Sequence, residues 1–254
     1  MRYFIGFCAP AMVFLPLLSA QAQSQTVWRI GKFDQSPFEL AGNPKRPVSF
    51  QIGKSLAKND WPRNQQVNQT YTISFALDST KGLYTLKIAA LIDRPRVPAL
   101  RIGVNGHTGI FFLHPKLSYS RIDLSNPHES QSTINIEFPS TFLKRGENSL
   151  TITCVDKPKS STDQPRYSGI TYDALSLSHD GAKQFNKNAV TAKVQPTIFY
   201  RRQGSALAEV VEAFVRFNRA PRAGKAELNL SGKRYSAAIH GNEAFGEERL
   251  DFEV

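Results

Sequence analysis

Hydrophobic and polar residues alternate with a period of two along most of the chain. From Thr70 to Leu77, Tyr71, Ile73, Phe75 and Leu77 fall on one side, with Thr72, Ser74 and Ala76 on the other. Tyr84, Leu86, Ile88 and Ala90 repeat the pattern, as do Leu100, Ile102 and Val104, then Ile134, Ile136 and Phe138, and then Leu150, Ile152 and Cys154. A last segment of this kind runs from about Ile170 to Leu177. Alternation of this period predicts strands with one buried face, and polar residues on the other face predict antiparallel sheets covered on one side. Lys81-Gly82, Asn105-Gly106 and Arg145-Gly146-Glu147-Asn148 supply turn chemistry between them. Asn105-Gly106 marks a tight hairpin, because both residues tolerate positive φ. Many short strands and no convincing helix predict an all-β fold, a two-sheet sandwich of jelly-roll type over residues 23–180.

The segment 181–193 reads as a linker, and 194–254 as a second set of strands near Gln195–Tyr200, Ala226–Leu230, Tyr235–His240 and Glu248–Val254. Leu207–Phe217 carries both periods: Leu207, Val210, Val211 and Phe214 have helical spacing, whereas Val211, Ala213, Val215 and Phe217 alternate. β-Branched and aromatic residues dominate, so it is assigned as a strand. These strands predict a small Ig-like β-sandwich, complete or truncated; the chain ends inside an alternating apolar run, and more protein is expected to follow.

Residues 1–22 stand apart. Met1-Arg2 is followed by an apolar run to Leu18 and then Ala20-Gln21-Ala22. This predicts a secretory signal peptide cleaved after Ala22 and a secreted, periplasmic or extracellular location. Nothing later is long and apolar enough to span a bilayer, so no membrane association is expected once the signal is cleaved. Cys8 leaves with the signal, and Cys154 stands alone in an alternating run as a core residue. The net charge is +11. On a secreted protein that charge favours acidic partners such as uronic-acid glycans, although scattered basic residues also serve solubility alone.

A series of short motifs, in order, carries a family resemblance: Trp28-Arg29-Ile30-Gly31-Lys32-Phe33-Asp34, Ile52-Gly53-Lys54-Ser55, Asn59-Asp60-Trp61-Pro62, Tyr84-Thr85-Leu86-Lys87-Ile88-Ala89, Val104-Asn105-Gly106, Leu143-Lys144-Arg145-Gly146-Glu147-Asn148-Ser149-Leu150 and Ile170-Thr171-Tyr172-Asp173-Ala174-Leu175. Over residues 27–178 this resembles domain III of the rhamnogalacturonan lyases of polysaccharide lyase family 4, a carbohydrate-binding-like module. The resemblance implies a jelly-roll sandwich and polysaccharide handling, without the lyase chemistry, which in that family belongs to a separate preceding domain. Residues 181–254 resemble a linker and sandwich segment of large secreted bacterial glycosidases.

The sequence offers no nucleophile elbow, metalloprotease helix or phosphate-cradling loop, so no catalytic site is expected. If the chain is part of an enzyme, a polysaccharide lyase or glycoside hydrolase is expected, with its catalytic domain downstream. No nucleic-acid recognition motif occurs, and nucleic acid is not an expected partner.

Expected partners are polysaccharides, pectic or otherwise acidic. Sugars are held by aromatic platforms with polar side chains around them. Trp61 in a polar loop is the leading platform, its alternative role being a plug at one end of the sandwich. Tyr119 with Arg121, Arg94 with Arg96 and Arg101, and Asn105 with His107 are further candidates. They lie in or beside the irregular stretches 57–68, 93–98 and 114–132 or at the hairpin turn. The arginines suit uronate carboxylates and equally suit solvated strand edges. Asp34 and Asp173 lie near opposite ends of the first domain. They are candidates for a structural calcium site with backbone carbonyls, or for ordinary turn hydrogen bonds. No other cofactor is expected.

Overall fold

The structure, a computed structural model, describes residues 24–42, 48–91, 97–114, 131–155, 169–241 and 245–254. Its first sheet contains β1 (Gln25–Gly31), β3 (Asn64–Gln66), β5 (Leu83–Leu91), β8 (Gln131–Pro139) and β10 (Gly169–Asp180). The order is β1-β10-β5-β8, with β3 paired to the other end of β10. The facing sheet begins with β2 (Val48–Gln51), β4 (Thr70–Leu77), β9 (Gly146–Val155), β6 (Ala99–Val104) and β7 (His107–Phe112), in that spatial order. One helical turn, α1 (Ala57–Asp60), precedes β3.

Alternation sets which side chains meet between the sheets. Tyr71, Ile73 and Phe75 of β4, Leu86 and Ile88 of β5, Ile102 of β6 and Leu150 and Ile152 of β9 are buried in one cluster. Each such side chain contributes roughly 1.5–3 kcal/mol on leaving water. Cys154 is buried in the same cluster and forms no disulfide among the described residues. Between β6 and β7, Asn105 and Gly106 have φ of 48° and 91°, the positive values a two-residue primed turn requires.

The remaining strands are β11 (Val190–Gln203), β12 (Ala206–Phe217), β13 (Gly224–Leu230), β14 (Lys233–Ile239) and β15 (Phe245–Glu253). The first of them starts at Val190, so the segment expected to be a linker to residue 193 gives way to a strand earlier. Leu207–Phe217 lies within a strand, as its alternation predicts. β11, β12 and β15 continue the second sheet of the sandwich beyond β7, giving eight strands in all. The hairpin β13–β14 covers one face of this extension. Val211, Ala213, Val215, Leu250 and Phe252 pack there against Leu228, Tyr235 and Ile239.

The extension joins the sandwich through one short parallel pairing, Phe245 with Gly109 and Gly246 with Ile110. Glycine is required on both sides. A Cβ on Gly109 would stand 2.5 Å from the Phe245 carbonyl oxygen, and one on Gly246 2.6 Å from that of Ile110. Gly246 also has φ of 117°, which side chains strongly disfavour. Phe245 enters the main core beside Phe111 and Phe142, with ring centroids 5.5 and 5.3 Å apart. Next to it, the buried Glu247 carboxylate accepts the Phe112 N–H at 2.8 Å and two hydrogen bonds from the Arg216 guanidinium. Arg216 donates a further bond to the Asn135 carbonyl at 2.7 Å. His114 stacks edge-on against Phe214 with its Nε2 4.0 Å from Glu247, and burial together with Lys193 and Arg216 holds its pKa below the usual histidine value. No helix among the described residues is long and apolar enough to cross a membrane.

Candidate functional site

The loop that leaves β1 folds back against the outer face of the first sheet. Gly31 begins it, where a Cβ would sit 2.6 Å from the Asp173 carbonyl oxygen. Asp173 lies at the bulge of β10 between Tyr172 and Ala174 and is fully buried. One of its carboxylate oxygens accepts the Ser36 N–H at 3.0 Å. The Asp34 carboxylate accepts the same N–H at 3.1 Å. The other Asp173 oxygen lies 3.4 Å from the Gln131 amide. Gln35, between the two aspartates' shared contacts, takes φ of 66°. Burial raises the Asp173 pKa; the Ser36 N–H opposes that and the nearby Asp34 charge adds to it.

Asp34 and Asp173 are therefore neighbours, as the calcium reading requires. Calcium needs six to eight oxygen ligands, whereas Asp173 is met by N–H donors from the loop backbone. Among the described residues no three His, Cys, Asp or Glu side chains are grouped to hold a metal. The residues fit a carboxylate tether for the loop better than a cation cage. Further ties complete the tether: Lys32 N–H to Glu39 Oε1 at 2.7 Å, Ala41 N–H to the Trp61 carbonyl at 2.8 Å and Arg63 N–H to the Ala41 carbonyl at 2.9 Å. Leu40 is buried in the core beneath.

The loop so held carries two phenylalanine rings, half-buried Phe33 and exposed Phe38, each with a cation over its face. Lys87 Nζ stands 4.2 Å and the Arg29 guanidinium 5.9 Å from the Phe33 ring centre. Phe38 is 77% exposed, the most solvent-facing large hydrophobic side chain among the described residues, and the Arg63 guanidinium lies 5.9 Å from its ring centre. Pairing register puts Arg29, Ser176, Lys87 and Asn135 in one row across β1, β10, β5 and β8. Their neighbours Leu86, Ile88 and Leu177 point into the core, so this row faces outward. No ion pair joins Arg29, Lys87 or Arg63 to a carboxylate among the described residues.

A family profile described as CBM-like, polysaccharide lyase family 4, domain III, matches residues 26–177. The chain belongs to this family. Among solved structures, a family GH115 4-O-methyl-α-glucuronidase with specificity for decorated arabinogalactans is similar at 14% identity with a TM-score of 0.36. The match covers 64% of this chain and 18% of that enzyme, so the chain spans less than a fifth of its length. No curated protein matches.

Within the domain III match, Trp61 takes the alternative role and not that of a sugar platform. It is wholly buried. Phe50, Tyr71 and Tyr172 surround it edge-on, with centroids 5.9, 5.5 and 5.4 Å away. No face of its indole is left for a sugar. Trp28 is also buried, tilted against Phe75 at 5.9 Å.

Asn105 is likewise consumed by the fold. Its amide donates to the Phe142 carbonyl at 2.9 Å and to Asn148 at 2.7 Å, and its oxygen accepts the Ser149 N–H at 2.9 Å. His107 is exposed at the same turn, stacked on Phe142 at 4.0 Å with the rings 7° from parallel. Arg101 is exposed on β6. Tyr119, Arg121, Arg94 and Arg96 lie outside the described residues. Phe33 and Phe38 were missed because a phenylalanine in a loop reads as core. The signal available was their place, five residues apart, on either side of the turn-forming Asp34-Gln35-Ser36-Pro37.

Proposed function

We propose that the chain is a secreted, non-catalytic module that binds polysaccharide and serves a larger carbohydrate-active enzyme, with its N-terminal segment acting as a cleaved export signal. The domain III match over residues 26–177 carries this reading, because that family is itself a carbohydrate-binding-like part of a polysaccharide lyase. The sandwich supports it physically: a two-sheet core presents loops and an outward row of polar side chains, Arg29, Ser176, Lys87 and Asn135. Acidic and pectic polymers suit the net charge of +11.

Affinity electrophoresis through gels containing pectic and neutral glycans tests the reading. Retardation by at least one polymer is the expected result, and free migration in every gel would refute it. Incubation with rhamnogalacturonan should release no unsaturated products. The exported form should begin at Gln23 on N-terminal sequencing.

A second reading, a spacer with no ligand of its own, is favoured by the built joint at Phe245–Glu247, which fixes one part of the molecule on the other. The same gels separate the two readings.

A further inference from the structure

Resting on the polysaccharide-binding reading, we propose that the tethered loop 32–42, with the cations beside it, is the contact surface for a uronate-bearing glycan. Three observations converge there. Phe38 keeps most of its ring in water, where an apolar side chain gains nothing unless something covers it. A cation accompanies each ring: Lys87 and Arg29 at Phe33, and Arg63 at Phe38. None of the three is neutralised by a carboxylate among the described residues.

Each ring–cation pair matches a uronic-acid residue. The aromatic face suits the sugar's C–H face. The adjacent guanidinium or ammonium suits its carboxylate, which arginine meets through two parallel hydrogen bonds. A neutral sugar uses only half of that arrangement. The loop is also held before any ligand arrives. Asp173 grips Ser36, Glu39 grips Lys32, and Ala41 exchanges backbone bonds with the Trp61–Arg63 segment. Ordering costs that a mobile loop would incur on binding are thereby avoided. Asp34 and Glu39, the acidic side chains next to the two rings in sequence, accept the Ser36 and Lys32 N–H groups.

The test uses the full chain and one polymer in two chemical states, polygalacturonate before and after methyl esterification, by isothermal titration. The wild-type chain should bind the free acid and lose at least about tenfold in affinity on the ester, which keeps the sugar faces but removes the charge. Affinity for the free acid should fall as salt rises. F38A should weaken binding by roughly tenfold, and R29E/K87E should abolish it; F38A removes an exposed ring and leaves the core intact. Circular dichroism and melting confirm the fold of both.

Equal binding of both polymer states would overturn the acidic ligand. Unchanged affinity in F38A and R29E/K87E, with wild-type binding intact, would overturn the site while leaving the module reading standing. Failure of the wild-type chain to bind any glycan would overturn both.

Discussion

Replacing Phe245 with alanine should separate the molecule into two thermal units. The ring is 3% exposed and fills a gap between Phe111 and Phe142 in the main core, yet it belongs to a strand of the extension. Transfer of a phenylalanine side chain from water accounts for roughly 1.5–3 kcal/mol. Truncations of buried phenylalanine cost about 3–5 kcal/mol once the residual cavity is included. The sandwich walls here are hydrogen-bonded sheets that collapse poorly, so a loss of about 3–4 kcal/mol is expected. For a chain of this size that is a fall of roughly 6–15 °C in melting temperature. Beyond this peg, the joint consists of the two paired positions with β7 and the contacts of Glu247, Arg216 and Phe214. Scanning calorimetry should therefore show one transition for the wild-type chain. In F245A the β11–β15 part should melt first, as a separate earlier peak. F245L, which keeps most of the volume, should lose less than about 1.5 kcal/mol and retain a single peak. A melting point within 2 °C of wild type, with one transition, would refute the idea that Phe245 couples the two parts.

The same joint should reject a methyl group: G246A, which collides with the Ile110 backbone, should cost roughly 1–3 kcal/mol by urea midpoint. G232A, whose added Cβ meets nothing within 4 Å, should cost less, and equal losses would contradict the steric argument. His114 gives a pH dependence. Its folded pKa is lowered by burial first and by Lys193 and Arg216, so the stability it contributes is present above its ordinary value of 6.5 and is lost as pH falls below that value through the lower folded one. Melting curves from pH 7.5 to 5 should fall more steeply for wild type than for H114N, and parallel curves would refute this. Because Trp28 and Trp61 are the chain's two tryptophans and both are buried, fluorescence should be blue-shifted and indifferent to saturating polysaccharide. Ligand-dependent quenching would count against the placement of Trp61.

How much of this was legible in the sequence varies by kind of contact. The side of β4 that turns inward follows from Tyr71, Ile73 and Phe75 alone, since strand geometry is local. The mixed signal at Leu207–Phe217 has a physical cause. β12 is buried on both faces, with Val211, Ala213 and Val215 under the β13–β14 hairpin and Phe214 against Phe112 on the other side. Two buried faces blur the alternation that marks a half-exposed strand. Trp61 was ambiguous because its aromatic neighbours come from β2, β4 and β10, and nothing in Asp60-Trp61-Pro62 reveals them. The joint was invisible for the same reason, since the pairing of Gly246 with Ile110 spans more than half the chain and leaves no periodicity behind. The tether at Asp173 was half legible: the closeness of Asp34 to Asp173 follows from the adjacency of first and last strands, while the N–H donors around Asp173 depend on a left-handed turn at Gln35.

The lopsided seam has a mechanical consequence. β15 meets β12 along eight consecutive residue pairs but meets β7 along two. Traction across the molecule would therefore be resisted unevenly, with the hydrogen-bonded zip inside the extension outlasting the short stitch that fastens it. Under tension the protein should yield at Phe245–Gly246 first, swinging the extension away as one intact flap while the sandwich stays closed.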